Sequence, residues 1–521
     1  MKIKNCIGII GLFLSLAVMS CYDDKGNYDY EKIEQTYVYA GFEINGYEKA
    51  VGDILEIYPT IVNGGDRLGD TARYDYWWTA QRELYREGVN NQQYVIGHGP
   101  NLYYQIDLPN ISPDMYMITL HMKDKESGIE WTKVTYLRIT GSLQEGWLLL
   151  CDRQGKAELN MYASKSDGTM VLVKDMLEKS GFPYTTGPRK VMYEDNTNTL
   201  DGNKIWILTD EGTGWLTKGD FQWKEDQLMK YRMVEAVGNN YTCADMAQFG
   251  MVMFHFEDDA HGNGLQALSF KLMGPVYTGN IAVYEKGASR FTVAPYVGGN
   301  LTNPTVEAGI VYDRDNRQFV LCAVSGGAIP EECVRLSDNP KWKVGKELLY
   351  MQTTNSQNRT FALFKEEGSE DVMECEVEVK AEFDIAAMGF VTKPVYNKDQ
   401  VYPNAPHLKN AKFYAYHMTQ GYLYYVYGNT LYTWYDGQER ELKTFTDGEV
   451  TALHCQYVKS GNTQNSEYLL VATYKEDPDV PEDKWGNLYF FASDGAAAVN
   501  LSQKNKLSGV GKIVDIDYQL K

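Results

Sequence analysis

The sequence predicts an all-β protein of two modules behind a short leader, and three observations carry that prediction. Aromatic residues make up 13% of the 521 residues, with 40 tyrosines among them, and flat rings pack well on pleated strands. Short runs that alternate apolar with polar residues are separated by Gly, Asn and Asp turn pairs. A long stretch also repeats itself at a period of about 54 residues. The balance of 50 Lys plus Arg against 70 Asp plus Glu gives a net charge of −20. A general nucleic-acid binder needs a basic surface to displace counterions from phosphate, so that class is excluded.

Residues 1–20 read as a leader. Lys2 and Lys4 precede an apolar run from Ile7 to Val18, too short to cross a ~30 Å hydrocarbon layer as a helix and shaped like a secretory h-region. It ends at Ala17-Val18-Met19-Ser20-Cys21. This resembles the lipobox of bacterial lipoproteins, in which cleavage before the cysteine leaves Cys21 lipidated and N-terminal; the alternative is an ordinary signal peptide with an incidental cysteine. Residues 21–35 form an acidic tether. Asp23 and Asp24 just behind Cys21 are similar to the export signal that sends Bacteroidetes lipoproteins to the outer leaflet of the outer membrane, against the plainer reading of a solvated linker. No later stretch is apolar enough to span a bilayer, so acyl chains are the expected membrane contact.

Residues 36–140 form the first module, expected as a β-sandwich. Its strands include Thr36 to Tyr39, Ile54 to Tyr58 and Tyr116 to Met122, with turns at Gly64-Gly65-Asp66 and Asp124 to Gly128. The order of features resembles the PKD-like, immunoglobulin-fold domains of Bacteroidetes lipoproteins. Val51-Gly52-Asp53 opens one strand, Tyr74 to Trp78 gives an inward aromatic strand, Tyr116-x-Ile118-x-Leu120 leads to Lys123-Asp124, and Trp131 to Ile139 closes the module. The Trp-Asp-Phe-Gly-Asp of better-known PKD repeats is missing, since Trp77 is followed by Trp78-Thr79-Ala80.

Residues 141–521 carry the repeat: an apolar strand, a tight turn, then a strand leading towards Asp-Gly. Clear copies turn at Gln154-Gly155, Gly428-Asn429 and Gly486-Asn487, and reach Asp167-Gly168, Asp436-Gly437 and Asp494-Gly495. Such pairs tolerate the positive φ of a two-residue hairpin. Anchors at Leu159, Trp215, Leu265, Phe319, Met373, Leu431 and Leu488 recur at about one four-stranded blade each, so a seven-bladed β-propeller fills the stretch. Six or eight blades, or an irregular β-solenoid, are the alternatives.

No nucleophile elbow, metalloprotease helix, P-loop or dinucleotide fingerprint is present, and no cofactor or metal is expected. The seven histidines are scattered. So are Cys151, Cys243, Cys322, Cys333, Cys375 and Cys455, which read mostly as buried thiols; a Cys322–Cys333 disulfide would suit an extracytoplasmic setting. Asp210 to Trp215 resembles the Asp-box of sialidase-type propellers, a structural turn. The loops Glu257-Asp258-Asp259 and Asp313-Arg314-Asp315 read as solvated turns before calcium sites.

Loop tryptophans are the functional lead. Trp223, Trp342 and Trp485 sit among charged, Pro or Gly residues, and Trp215 adjoins a Gly-rich turn. An exposed indole suits stacking on a sugar or clasping a peptide side chain; the alternative is that each caps a blade, half buried. The whole chain resembles the PKD-like lipoproteins of Bacteroidetes, typically encoded beside SusC/SusD-type uptake systems. That resemblance implies a non-catalytic surface protein capturing a glycan or peptide nutrient as accessory to such a transporter. A propeller hydrolase with paired funnel carboxylates and a purely scaffolding lipoprotein are the rivals.

Overall fold

The computed structural model of the protein describes residues 36–520 apart from 51–52, 64–69, 84–91, 107–113, 141–142, 144, 166–168, 196–201, 219–220, 259–263, 270–276, 302, 304–305, 324–330, 356–357, 386–388, 459–465 and 494–497. Cys21, Asp23 and Asp24 therefore lie outside the described residues. The described elements are almost all strands, and the chain forms two compact units, with the main body of the second beginning towards the end of the strand Glu130–Thr140.

In the first unit, Tyr47–Ala50, Glu130–Thr140, Asp114–Asp124, Tyr74–Arg82 and Tyr94–His98 lie side by side in that order as one sheet. Thr36–Ala40 pairs with Thr60–Asn63, and Ile54–Ile57 with Leu102–Gln105. The period of two sets the buried face: Tyr116, Ile118, Leu120 and Met122 all point into the core. Of the paired tryptophans, Trp78 is the inward one, with its Nε1 donating to the Gly99 carbonyl at 3.1 Å. Trp77 stacks instead on the His121 ring, centroid to centroid at 4.7 Å.

The second unit is a ring. Among the described residues, seven sheets follow one another after position 140, here termed blades 1 to 7. The innermost strands of blades 2 to 7 are Pro188–Glu194, Cys243–Phe249, Val293–Gly298, Glu347–Thr353, Phe413–Tyr416 and Glu449–Val458, each beside the next. Blade 1 takes its innermost strand from far along the chain. Lys512–Gln519 pairs antiparallel with Glu145–Arg153, setting Trp147 opposite Tyr518 and Leu149 opposite Ile516. The same strand neighbours Pro188–Glu194 on one side and Glu449–Val458 on the other, so the circle closes as a β-propeller.

Seven hydrophobic clusters fill the seams between successive blades, including the seam between blades 7 and 1. Burying one large side chain stabilises by roughly 1.5–3 kcal/mol, and each cluster draws its residues from two neighbouring blades. Leu159, Trp215, Leu265, Phe319, Met373, Leu431 and Leu488 each fall in the third strand, counted from the axis, of blades 1 to 7 in turn. Asp167-Gly168 and Asp494-Gly495 lie outside the described residues, but two of the turn pairs show their chemistry directly. Gln154 and Gly155 both have positive φ, 54° and 86°, as do Asp436 and Gly437, which is the primed geometry that matches strand twist.

Candidate functional site

Each innermost strand sends alternate side chains into the seams on its two sides, as Tyr193 and Met192 do from blade 2. On Lys512–Gln519, Ile516 and Tyr518 enter the seam with blade 7, leaving Asp515 and Asp517 on the other face. Lys190 of blade 2 and Asp245 of blade 3 form an ion pair, with side chains still 29% and 26% exposed inside the ring of strands. Solvent therefore reaches this pair. Blade 7 adds His454, whose Nε2 meets Gln456 Oε1 at 2.9 Å. Blades 4, 5 and 6 add Tyr296, Tyr350 and Tyr414. Tyr350 lies 5.5 Å from Tyr296 edge-on and 5.5 Å from Tyr414 in a stack. The axis thus has two sides, a charged one from blades 7, 1, 2 and 3 and an aromatic one from blades 4 to 6.

These groups feel one another across the ring. Burial pushes the Asp515 carboxyl up to about 7, with Lys190 and the Val191 amide pulling it back. Burial likewise raises Asp517 and lowers His454. Burial also works against the Lys190 ammonium, but Asp245, Asp515 and Asp517 outweigh it and its pKa rises. Burial raises the tyrosine hydroxyls of Tyr296, Tyr350 and Tyr414. Their hydroxyls are held: Tyr350 donates to Gln352 Oε1 at 2.8 Å and Tyr414 to the Leu408 carbonyl at 3.0 Å. The two acids of blade 1 also staple the ring, since Asp515 Oδ2 accepts the Val191 N–H at 3.0 Å and Asp517 Oδ2 the Tyr193 N–H at 2.6 Å.

The tryptophans singled out from the sequence do not gather here. Trp342 is 1% exposed, its ring in the seam of blades 4 and 5 and its Nε1 donating to Asp338 at 2.8 Å. Trp215 is 6% exposed, packed against Trp206 beneath Arg232. Both are corrected from ligand contacts to core: Lys341 and Lys343 turn outward while the Trp342 indole turns in, and Trp215 lies in a strand, Thr213–Thr217, that is buried on both faces. Trp223 is half-buried against the seam of blades 1 and 2. Trp485 lines a cavity of about 120 Å³, together with Cys151, Arg153, Glu158, Tyr474 and Lys512. Its Nε1 is spent on the carbonyls of Asp477 and Val480, leaving the ring as its contact surface.

Two other motifs resolve as turns. The Glu211 carboxylate accepts the N–H groups of Thr185 and Thr186 at 2.8 and 2.9 Å, and Asp210 pairs with Arg189. Asp313 Oδ1 accepts the amides of Asp315 and Asn316. The axial cluster escaped the sequence reading because its members come from seven separate strands. The one local signal was Ile513-Val514-Asp515-Ile516-Asp517-Tyr518, where acids alternate with apolar residues in a strand too apolar to be an exposed edge.

Residues 21–188 match the model of the PKD-like family. No curated protein matches the chain. Among solved structures, it is similar to a quinonprotein alcohol dehydrogenase-like protein of Bacteroides thetaiotaomicron, at 13% identity and a TM-score of 0.35, over 91% of this chain and 99% of that one. It is also similar to the periplasmic gluconolactonase of Pseudomonas aeruginosa, at 13% identity and a TM-score of 0.40, over 72% of this chain and 98% of that one. At such values the propeller rests on its own closed circle of strands.

Proposed function

We propose that the protein is a lipid-anchored lipoprotein of the outer cell surface that captures a glycan or peptide nutrient, without turnover, as accessory to a SusC/SusD-type transporter. The observation that carries the binding reading is the two-sided axis. A tyrosine wall receives an apolar ring face or side chain, and Lys190, Asp245 and His454 opposite it supply charged and hydrogen-bonding partners for a polar edge. Rigid strands hold both sides, so little ordering is needed on binding. The anchor reading is supported by the Lys2 to Cys21 leader and by Asp23 and Asp24 behind it.

The binding test is a glycan and peptide panel screened with the mature chain, followed by calorimetry on any hit. Tyr414→Ala and Lys190→Met should each weaken binding at least ~10-fold, about 1.4 kcal/mol. Unchanged affinity in both variants would remove the axis from the account. For the anchor, Cys21→Ala should move the protein from membrane to soluble fractions, and unaltered partitioning would reject it.

A second reading has one observation in its favour. Asp515 and Asp517 lie two residues apart on one strand, a backbone separation of roughly 7 Å, and both carboxyls are raised by burial. Glycoside hydrolysis uses two carboxyl groups roughly 5–9.5 Å apart, and neighbours on one face of a strand can reach that range. Their backbone hydrogen bonds to blade 2 favour a stapling role. Accumulation of cleaved sugar that Asp517→Asn abolishes would establish the hydrolase instead.

A further inference from the structure

Cys322 lies in the third strand of blade 4, Gln318–Ala323, and Cys333 immediately precedes the two-residue outer strand Val334–Arg335. The register sets Val320 opposite Arg335 and Leu321 opposite Val334, so the next rung places Cys322 opposite Cys333. The Cys333 amide turns away from that rung and donates to the Val283 carbonyl at 2.8 Å. The rung is therefore a non-hydrogen-bonded one, in which backbones stand about 4.5 Å apart and side chains are closest. That spacing lies within the range that a disulfide spans without backbone movement. The two Sγ atoms are 2.6 Å apart and both residues are 1% exposed. The other four described cysteines sit apart from one another in different blades.

We propose that Cys322 and Cys333 form a cross-strand disulfide that fastens the outermost strand of blade 4 to the blade. That strand is otherwise held by two ladder rungs and by Arg335 over the Tyr284 ring at 3.7 Å, while Val334 is 51% exposed. The two thiols give up two protons and two electrons as the S–S bond forms. The acceptor is the disulfide of an extracytoplasmic thiol–disulfide oxidoreductase, which leaves as a dithiol after exchange through a mixed disulfide. The exchange precedes burial of the pair. The oxidant rests on the exported location argued above; the pairing itself rests on the register.

The experiment is thiol alkylation with mass mapping on the full chain, denatured without reductant, from exported material and from cytoplasmic material refolded with oxidised glutathione. The expected result in either oxidised sample is a peptide joining Cys322 to Cys333, two hydrogens lighter than the dithiol, with Cys151, Cys243, Cys375 and Cys455 alkylated. Pairing in the refolded sample but not in the cell-derived one keeps the disulfide and overturns the location. Alkylation of both Cys322 and Cys333 in both samples overturns the disulfide. A Cys322→Ser/Cys333→Ser chain should melt a few degrees lower than the oxidised protein and match the reduced one; equal melting of all three would refute the fastening role.

Discussion

Replacing Asp515 by Asn should stabilise the propeller, and only above acidic pH. The carboxyl sits at about 7 in the fold against an ordinary value of 3.8, chiefly through burial. A folded-state value raised above the unfolded one means that stability is full below about pH 4 and declines as pH climbs towards 7. The rise from 3.8 to about 7 sets the cost of the ionised form at about 4 kcal/mol at neutral pH. Asn keeps the acceptor for the Val191 amide while removing the charge. For a unit of this size, 4 kcal/mol corresponds to about 5 °C in melting temperature. Calorimetric melting of both chains at pH 4.5, 6 and 8 reads it directly. The two should nearly coincide at the acidic end and separate progressively, with Asp515→Asn the higher. Parallel curves, or a less stable variant at pH 8, would refute the argument that the axial charge is held at a cost.

The closure and the turns make two further predictions. Ile516→Ala, in the seam that joins blade 7 to blade 1, should cost about 2–5 kcal/mol in denaturant unfolding, and a loss below 1 kcal/mol would mean the closing strand is loosely packed. Gly486 has a φ of +77°, and a Cβ there would stand 2.0 Å from the Gly511 carbonyl oxygen. Gly486→Ala should therefore destabilise by well over 1 kcal/mol, read as a lower melting temperature; an unaffected protein would show that the backbone at the Gly511 turn gives way freely.

Much of the architecture was legible because it is written locally. Asp436-Gly437 and Gln154-Gly155 announce hairpins through their own backbone freedom, and a bulky anchor such as Phe319 or Leu488 marks each third strand because that strand is covered on both faces. The closing strand was not legible in the same way. Lys512–Gln519 pairs with Glu145–Arg153 across almost the whole propeller, and no local pattern names a partner so distant. The site shared that fate. Lys190, Tyr350 and Asp515 are unremarkable one at a time and acquire their shifted protonation only when seven strands meet. The tryptophans misled for a related reason: Lys341 and Lys343 beside Trp342 signal a wet loop, yet the short turn Pro340–Trp342 drives the indole inward.

The borrowed innermost strand of blade 1 has a bearing on how the molecule is made. Six blades are assembled from contiguous sequence, but the first stays a sheet with a vacant inner edge until the ribosome has delivered residues 512–519. A nascent or clipped chain lacking that segment presents an unpaired edge beside Trp147 and Leu149, a ready site for holding chaperones and for aggregation. Quality control of this protein thus reduces to whether one late strand has found its slot.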